Sequence, residues 1–227
     1  MSGSKRLQDV PDLLAIIHHA QLDPHANDAV LHEACSAACH LGLGGFCTYP
    51  DRLNVARELL GPACKTRLVA VVGFPFGTTS ASLKLAEAEW AADQGADNID
   101  LVPSFWALHN GYLNAFAEEI ATVSAIGLPV HVVLDIARLP EDTLALAVEA
   151  TIDAGATGIQ SGNGFGSVVS DIQIKRLAEL CRGRCAIKAV GGVSSLNQVL
   201  QLVESGAGLL GTSRGTQLAQ ELRQSRQ

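Results

Sequence analysis

Ala-Ile-Lys-Ala-Val-Gly-Gly-Val, residues 186–193, is an apolar run of strand character interrupted by one lysine and closed by two glycines. Of the five lysines, at 5, 65, 84, 175 and 188, only Lys188 sits inside such a strand-like run. An ammonium group there must find a partner or give up its proton, because an isolated buried charge is very costly. Gly191 and Gly192 have no side chains, so their N–H groups can come close to an anion. Lysine beside an anion-binding turn suits chemistry on a phosphorylated carbonyl compound. A lysine that snorkels to the surface beside a plain turn is the competing reading of these eight residues.

Short runs of the same kind recur at 16–19, 45–48, 67–73, 98–102, 130–135, 157–161 and 208–212. They read as continuous apolar segments, as in a parallel sheet buried on both faces. Between them lie helical stretches such as those at 28–41, 80–94, 110–125, 141–154, 170–181, 194–204 and 213–222. Ser170 and Ser194 are expected N-caps. Gly42, Gly95, Gly127, Gly155 and Gly206 stand where left-handed C-caps belong. Gly95-Ala-Asp, Gly155-Ala-Thr and Gly206-Ala-Gly each precede a strand and mark repeated αβ loops. Eight strands, each followed by a helix, with starts 22 to 32 residues apart, predict a closed (β/α)8 TIM barrel. The alternative, a doubly wound open sheet, lacks the Gly-x-Gly-x-x-Gly turn that would support it. No composition break divides the chain, so one domain is expected over 1–227. The barrel core spans about 16–222, and residues 7–14 form a short helix capping the barrel floor.

Composition narrows the function. Hydrophobic residues make up 48% of the 227, enough for a sizeable core, and the net charge is −7. An acidic chain with a pI near 5.4 does not offer the basic surface that nucleic acids need. No apolar run approaches the ~20 residues of a membrane span. The run at 13–17 is too short for a signal-peptide core and is followed by two histidines. A soluble cytoplasmic protein is expected, with the six cysteines at 35, 39, 47, 64, 181 and 185 reduced. His32, Cys35 and Cys39 share one helical face with His40 beside them, where a buried apolar role is favoured over zinc.

In a barrel of this kind, the C-terminal ends of the strands form the active site. That rule selects His18 and His19 on the first strand, Cys47 on the second, Asp100 on the fourth, Asp135 on the fifth and Lys188 on the seventh. A buried carboxylate at Asp100 needs a cation, and Lys188 is the natural one, as catalytic pair or as structural ion pair. Barrels hold phosphate in the loops after their last two strands. Gly191 and Gly192 follow the seventh strand, and Gly211-Thr-Ser-Arg-Gly follows the eighth. Ser213 offers a hydroxyl and a helix-start N–H, Arg214 a bidentate cation, and Gly164 a third wall. Ordinary βα turns are the alternative account of these glycines.

On these residues the chain resembles the deoxyribose-phosphate aldolase family from about 16 to 215. Val-Val-Gly-Phe-Pro-Phe-Gly-Thr-Thr at 71–79, Gly-Ala-Asp-Asn-Ile-Asp-Leu-Val at 95–102, Ile-Lys-Ala-Val-Gly-Gly-Val at 187–193 and Gly211-Thr-Ser resemble its motifs in order. The resemblance implies an acid–base role for Asp100, a second active-site lysine at Lys188, no cofactor and no metal. It also implies an imine-forming lysine in the segment Gly-Ile-Gln-Ser-Gly-Asn-Gly-Phe at 158–165, and Gln160 occupies that place. An amide cannot form an imine, since its nitrogen lone pair is delocalised. His18, Tyr49, Pro103-Ser-Phe-Trp106, Gly162 and Asn163 also depart from the family pattern. With Asp100 beside it and no second lysine, Lys188 is expected as an ammonium ion, a poor nucleophile and a good anchor for oxygen.

Three functions follow. The first is a catalytically impaired or repurposed homologue that still binds a sugar phosphate, with the aromatic pair Phe105-Trp106 as a contact for a protein partner or a second copy. The second is a working aldolase that uses Lys188 as its amine to cleave 2-deoxyribose 5-phosphate to glyceraldehyde 3-phosphate and acetaldehyde. The third, a metal-dependent lyase built on His18, His19, Asp100 and Asp135, lacks a compact ligand motif.

Overall fold

The computed structural model describes residues 12–225. Its strands are β1 (Ile17–Ala20), β2 (Gly45–Thr48), β3 (Arg67–Val72), β4 (Asn98–Leu101), β5 (Val130–Val133), β6 (Gly158–Gln160), β7 (Ala186–Val190) and β8 (Leu209–Thr212). All neighbours are parallel, and the sheet closes in chain order, β8 pairing back onto β1 through His18 and Gly211. The helices are α1 (Leu13–Ile16), α2 (Asp28–Leu41), α3 (Leu53–Leu60), α4 (Ala81–Asp93), α5 (Phe105–His109), α6 (Leu113–Ser124), α7 (Glu141–Asp153), α8 (Asp171–Cys181), α9 (Leu196–Glu204) and α10 (Gly215–Gln224). This is the (β/α)8 barrel the strand spacing predicts.

Strand alternation sorts the side chains into two layers. Ile17, Phe46, Leu68, Ile99, Val132, Ile159, Ile187 and Leu210 face outward and join helix residues such as Leu31, Ala88, Ile120, Ile174 and Leu218 in one apolar cluster. The lumen is different. It holds Cys47, Val69 and Val71 together with buried His18, Asn98, Asp100, His131, Gln160 and Lys188. The lumen face is therefore mixed, apolar at Cys47, Val69 and Val71 and polar elsewhere, a correction to the reading of the strands as continuously apolar on both faces. Two glycines make room for the lumen histidines. A Cβ on Gly45 would lie 2.7 Å from the His18 ring, and one on Gly158 would lie 2.5 Å from that of His131.

Several boundaries move for local reasons. Ser195, not Ser194, caps α9, its hydroxyl accepting the Gln198 N–H at 3.3 Å while the Ser194 N–H donates to the Gln198 side chain. α10 starts at Gly215 rather than at Ser213, with Arg214 as its cap residue. Gly42 ends α2 in the left-handed conformation as expected, but α8 ends on Arg182 at φ 51°. The helix expected after the second strand, for which no range was given, is α3, with Leu53, Ala56 and Leu60 buried at helical spacing. Most of the helix expected over 7–14 lies outside the described residues, and α1 covers its last two positions. Cys39 and Cys64 are joined by a disulfide, contrary to the expectation of reduced thiols. Cys39 therefore has no free thiolate to offer beside His32 and Cys35.

Candidate active site

A cavity of about 400 Å³ opens at the C-terminal ends of the strands. Asp100, Lys188, Gln160, Cys47, Gly164, Gly191, Gly192, Gly211, Ser213 and Arg214 all line it. Two other expected residues do not. His19 points outward into the helix layer, beside Phe46 and against the start of α10; its neighbour His18 lines the cavity instead. The alternation of β1 decides this, because one residue of shift reverses the face. Asp135 lies beyond the end of β5, which stops at Val133. It pairs with Arg138 at 3.2 Å and faces a separate small recess.

At the floor of the cavity, one carboxylate gathers three partners. Asp100 Oδ2 accepts a hydrogen bond from the Lys188 ammonium group and a longer one from the Cys47 thiol at 3.8 Å. Asp100 Oδ1 lies 3.2 Å from His131 Nδ1. Lys188 and Asp100 are each 2% exposed. Burial alone would raise the carboxyl pKa, but the Lys188 charge and the His131 contact hold it well below the usual carboxylate range. Burial, then the Lys188 charge, push His18 well below its ordinary 6.5, so its ring is neutral. Burial pushes the Cys47 thiol up, making it a hydrogen-bond donor rather than a nucleophile.

His131 was missed in the sequence, though its place two residues before Val133 on the lumen side of β5 could have shown it. Lys84 was also missed. It is fully buried, and its Nζ donates to Glu119 Oε1 at 2.8 Å, which also accepts the Ser104 N–H at 3.0 Å. That pair ties α4 and α6 to the loop after β4, away from the cavity.

Gln160 sits directly across from Lys188 in the register of β6 and β7. Its Nε2 donates to Gly162 O at 2.7 Å, while its buried Oε1 has no partner. The rim opposite is rich in donors. Among the described residues the N–H groups of Gly192 and Ser213 and the Ser213 hydroxyl make no internal hydrogen bond. The Arg214 guanidinium has no acidic partner there either, whereas its own N–H donates to Thr212 Oγ1 at 3.0 Å. Gly191 and Gly192 reach this rim at φ 133° and 62°, a conformation that suits glycine. On the far side of the mouth, Phe74 packs on Tyr49 and Phe165 with ring centres 5.8 and 5.7 Å apart. Phe105 and Trp106 lie on α5 outside the cavity lining, with Trp106 exposed and packed against Tyr112.

Among the described residues no three His, Cys, Asp or Glu side chains converge to hold a metal, and no helix is long and apolar enough to cross a membrane. Fold and site define a (β/α)8 barrel with a lysine–carboxylate pair in its lumen beneath a rim of free N–H donors. The chain is 36% identical over 210 residues to the deoxyribose-phosphate aldolase of Trichormus variabilis, covering 91% of this chain and 92% of that one. It is 31% identical over 218 residues to that of Thermococcus gammatolerans, covering 93% and 97%. The chain belongs to the deoxyribose-phosphate aldolase family. Among solved structures, an aldolase called QR15 superposes with a TM-score of 0.91 at 27% identity, covering 96% of this chain and 98% of that one. A tetrameric deoxyribose phosphate aldolase from Aeropyrum pernix gives 0.83 at 25% identity, over 93% and 91%. No protein-family model matches the chain.

Proposed function

We propose that this chain is a divergent aldolase-family barrel that binds a phosphorylated sugar or similar anion and has lost imine catalysis at position 160. The observation that carries the reading is the amide at Gln160, set beside Lys188 where the family resemblance calls for a second amine. The lone pair of an amide nitrogen is delocalised into its carbonyl and does not attack another. In this reading the N–H groups of Gly191 and Gly192, the Ser213 hydroxyl and the Arg214 guanidinium hold the anion, with Gly211 and Gly164 shaping its walls. Lys188 is paired with Asp100, and its side-chain nitrogen anchors a ligand oxygen at the cavity floor. The chain works as one barrel domain, and the tetramer formed by its Aeropyrum pernix relative supports a homo-oligomer here.

One observation favours a second reading. Lys188 lines the cavity with a carboxylate in hydrogen-bonding contact, the kind of neighbour an imine-forming lysine uses to relay protons to and from its substrate. The Lys188 amine would then add to the C1 carbonyl and expel water to form the imine; carbon–carbon cleavage would release glyceraldehyde 3-phosphate and leave an enamine, which takes up a proton and is hydrolysed by water to acetaldehyde and the free amine.

Borohydride reduction in the presence of acetaldehyde, followed by peptide mass spectrometry, separates the two, with calorimetric titration of 2-deoxyribose 5-phosphate alongside. The first reading expects no adduct and measurable binding. An adduct on Lys188 overturns it in favour of the second.

A further inference from the structure

The two sides of the cavity differ in chemistry. The loops after β7 and β8 carry the free donors and Arg214. Across the barrel, the end of β3 and the loop after it contribute Val71 and Phe74, and the loops after β1 and β6 add Leu22 and Phe165. Leu22, Tyr49 and Phe74 pack on the apolar cluster of Cys47, Val69 and Val71. Phe165 lies against Phe74 and Phe76, ring centres 5.7 and 6.4 Å apart, and is still 61% exposed. Asn163 Nδ2 donates to Pro75 O at 2.8 Å and so ties the loop after β6 to the loop after β3. The aromatic wall is held in place before any ligand arrives.

The loop that carries Phe165 also reaches the anion rim. The Val169 N–H donates to Gly191 O at 3.0 Å, and a Cβ on Gly192 would lie 2.9 Å from the Val168 side chain. Phe165 is only three residues from Val168, about 10 Å of chain at full stretch. One small molecule therefore reaches both the wall and the donors. Polar side chains around it are largely engaged already. Asn163 uses Nδ2 on Pro75 O and Oδ1 on the Phe165 N–H at 3.0 Å. Thr212 Oγ1 donates to Val193 O at 2.7 Å and accepts from the Arg214 N–H at 3.0 Å. Gln160 Nε2 is bonded to Gly162 O, and its Oε1 is buried. At the floor, Lys188 and His18 remain.

We infer that the cavity takes a phosphate monoester with an apolar, aromatic body in preference to a sugar phosphate. The rim holds the phosphate, and the ring of the ligand stacks on Phe165 and Phe74, where offset or edge-to-face contact is favourable. A body rich in hydroxyls would press them against this wall without partners, and a hydroxyl taken out of water unpaired is costly. The cavity, about 400 Å³, falls within the size range of small-ligand sites, which are mostly apolar with a few polar groups to orient the ligand. The inference rests on the anion-binding reading above and names the organic part of the ligand.

Calorimetric titration of the unaltered protein and of Phe165→Ser with benzyl phosphate, 2-deoxyribose 5-phosphate and inorganic phosphate tests it. In the unaltered protein benzyl phosphate is expected to bind at least about ten-fold more tightly than either of the others, the gain from burying and stacking one ring. Phe165→Ser is expected to remove about that factor for benzyl phosphate and to leave inorganic phosphate unchanged. The Phe165 side chain is exposed, so the fold should tolerate the change. If the sugar phosphate binds as tightly as benzyl phosphate, or if the variant keeps its benzyl phosphate affinity, the inference is overturned and the anion site stands. Failure of all three ligands to bind overturns both.

Discussion

Gln160 and Lys188 face each other across β6 and β7, paired residue to residue in the parallel register, so both side chains leave the sheet toward the lumen. Lys188 is held on its other side by Asp100, and Gln160 by the carbonyl of Gly162. One position therefore separates the cavity floor from a pair of neighbouring amines. In such a pair each cation lowers the proton affinity of the other and frees one as a nucleophile.

Gln160→Lys is expected to restore that pairing. Cleavage of 2-deoxyribose 5-phosphate should rise at least about ten-fold above the unaltered protein, equivalent to ~1.4 kcal/mol of barrier. Borohydride should then trap an adduct on residue 160. A coupled assay for glyceraldehyde 3-phosphate measures the rate, and an unchanged rate with normal folding means the departures at His18 and Tyr49 have also altered the lumen.

The Asp100–Lys188 pair is expected to be strongly coupled in stability. Asp100→Asn or Lys188→Met alone leaves a buried group without its partner and should cost about 3–5 kcal/mol. The double replacement should cost clearly less than the sum. Urea denaturation of the four proteins gives the coupling, and simple additivity would refute it.

Stability is expected to fall between neutral pH and pH 4. Burial lowers His19 from 6.5 to about 4, and lowers His18 as well, with help from Lys188. The unfolded chain therefore binds protons in this window that the folded chain refuses. The stabilisation is complete above about pH 6.5 and is lost as the pH falls toward the folded values. The share of His19 is up to about 3 kcal/mol. Denaturation midpoints compared at about pH 7.5 and 4.5 measure it, and His19→Gln should remove that share of the decline.

Arg214→Ala is expected to weaken binding of 2-deoxyribose 5-phosphate about ten- to a hundred-fold, the range of a charge-assisted hydrogen bond. The side chain is exposed and without an acidic partner among the described residues, so the melting temperature should not change. Calorimetry and thermal melts together check this. Unchanged affinity would place the anion elsewhere.

The repeat of apolar run, turn glycine and helix determines the eight-stranded barrel, because that pattern is imposed by hydrogen bonding and burial acting on neighbours in the chain. It also puts Asp100 and Lys188 on the fourth and seventh strands and Gly191 and Gly192 in the loop after the seventh, where the fold has them. Contacts between distant strands were another matter. Whether His18 or His19 enters the lumen depends on a one-residue choice of strand register, which closure of β1 against β8 settles. Asp135 left the site because β5 ends two residues before it. His131 reached Asp100 because Gly158, on the neighbouring strand, has no side chain in its way. The unpaired oxygen of Gln160 exists only because the chain folds Gly162 back onto its nitrogen. Local sequence determines which elements form and which residues can do chemistry. Their mutual distances, and so the character of the site, arise only when strands far apart in the chain close into one barrel.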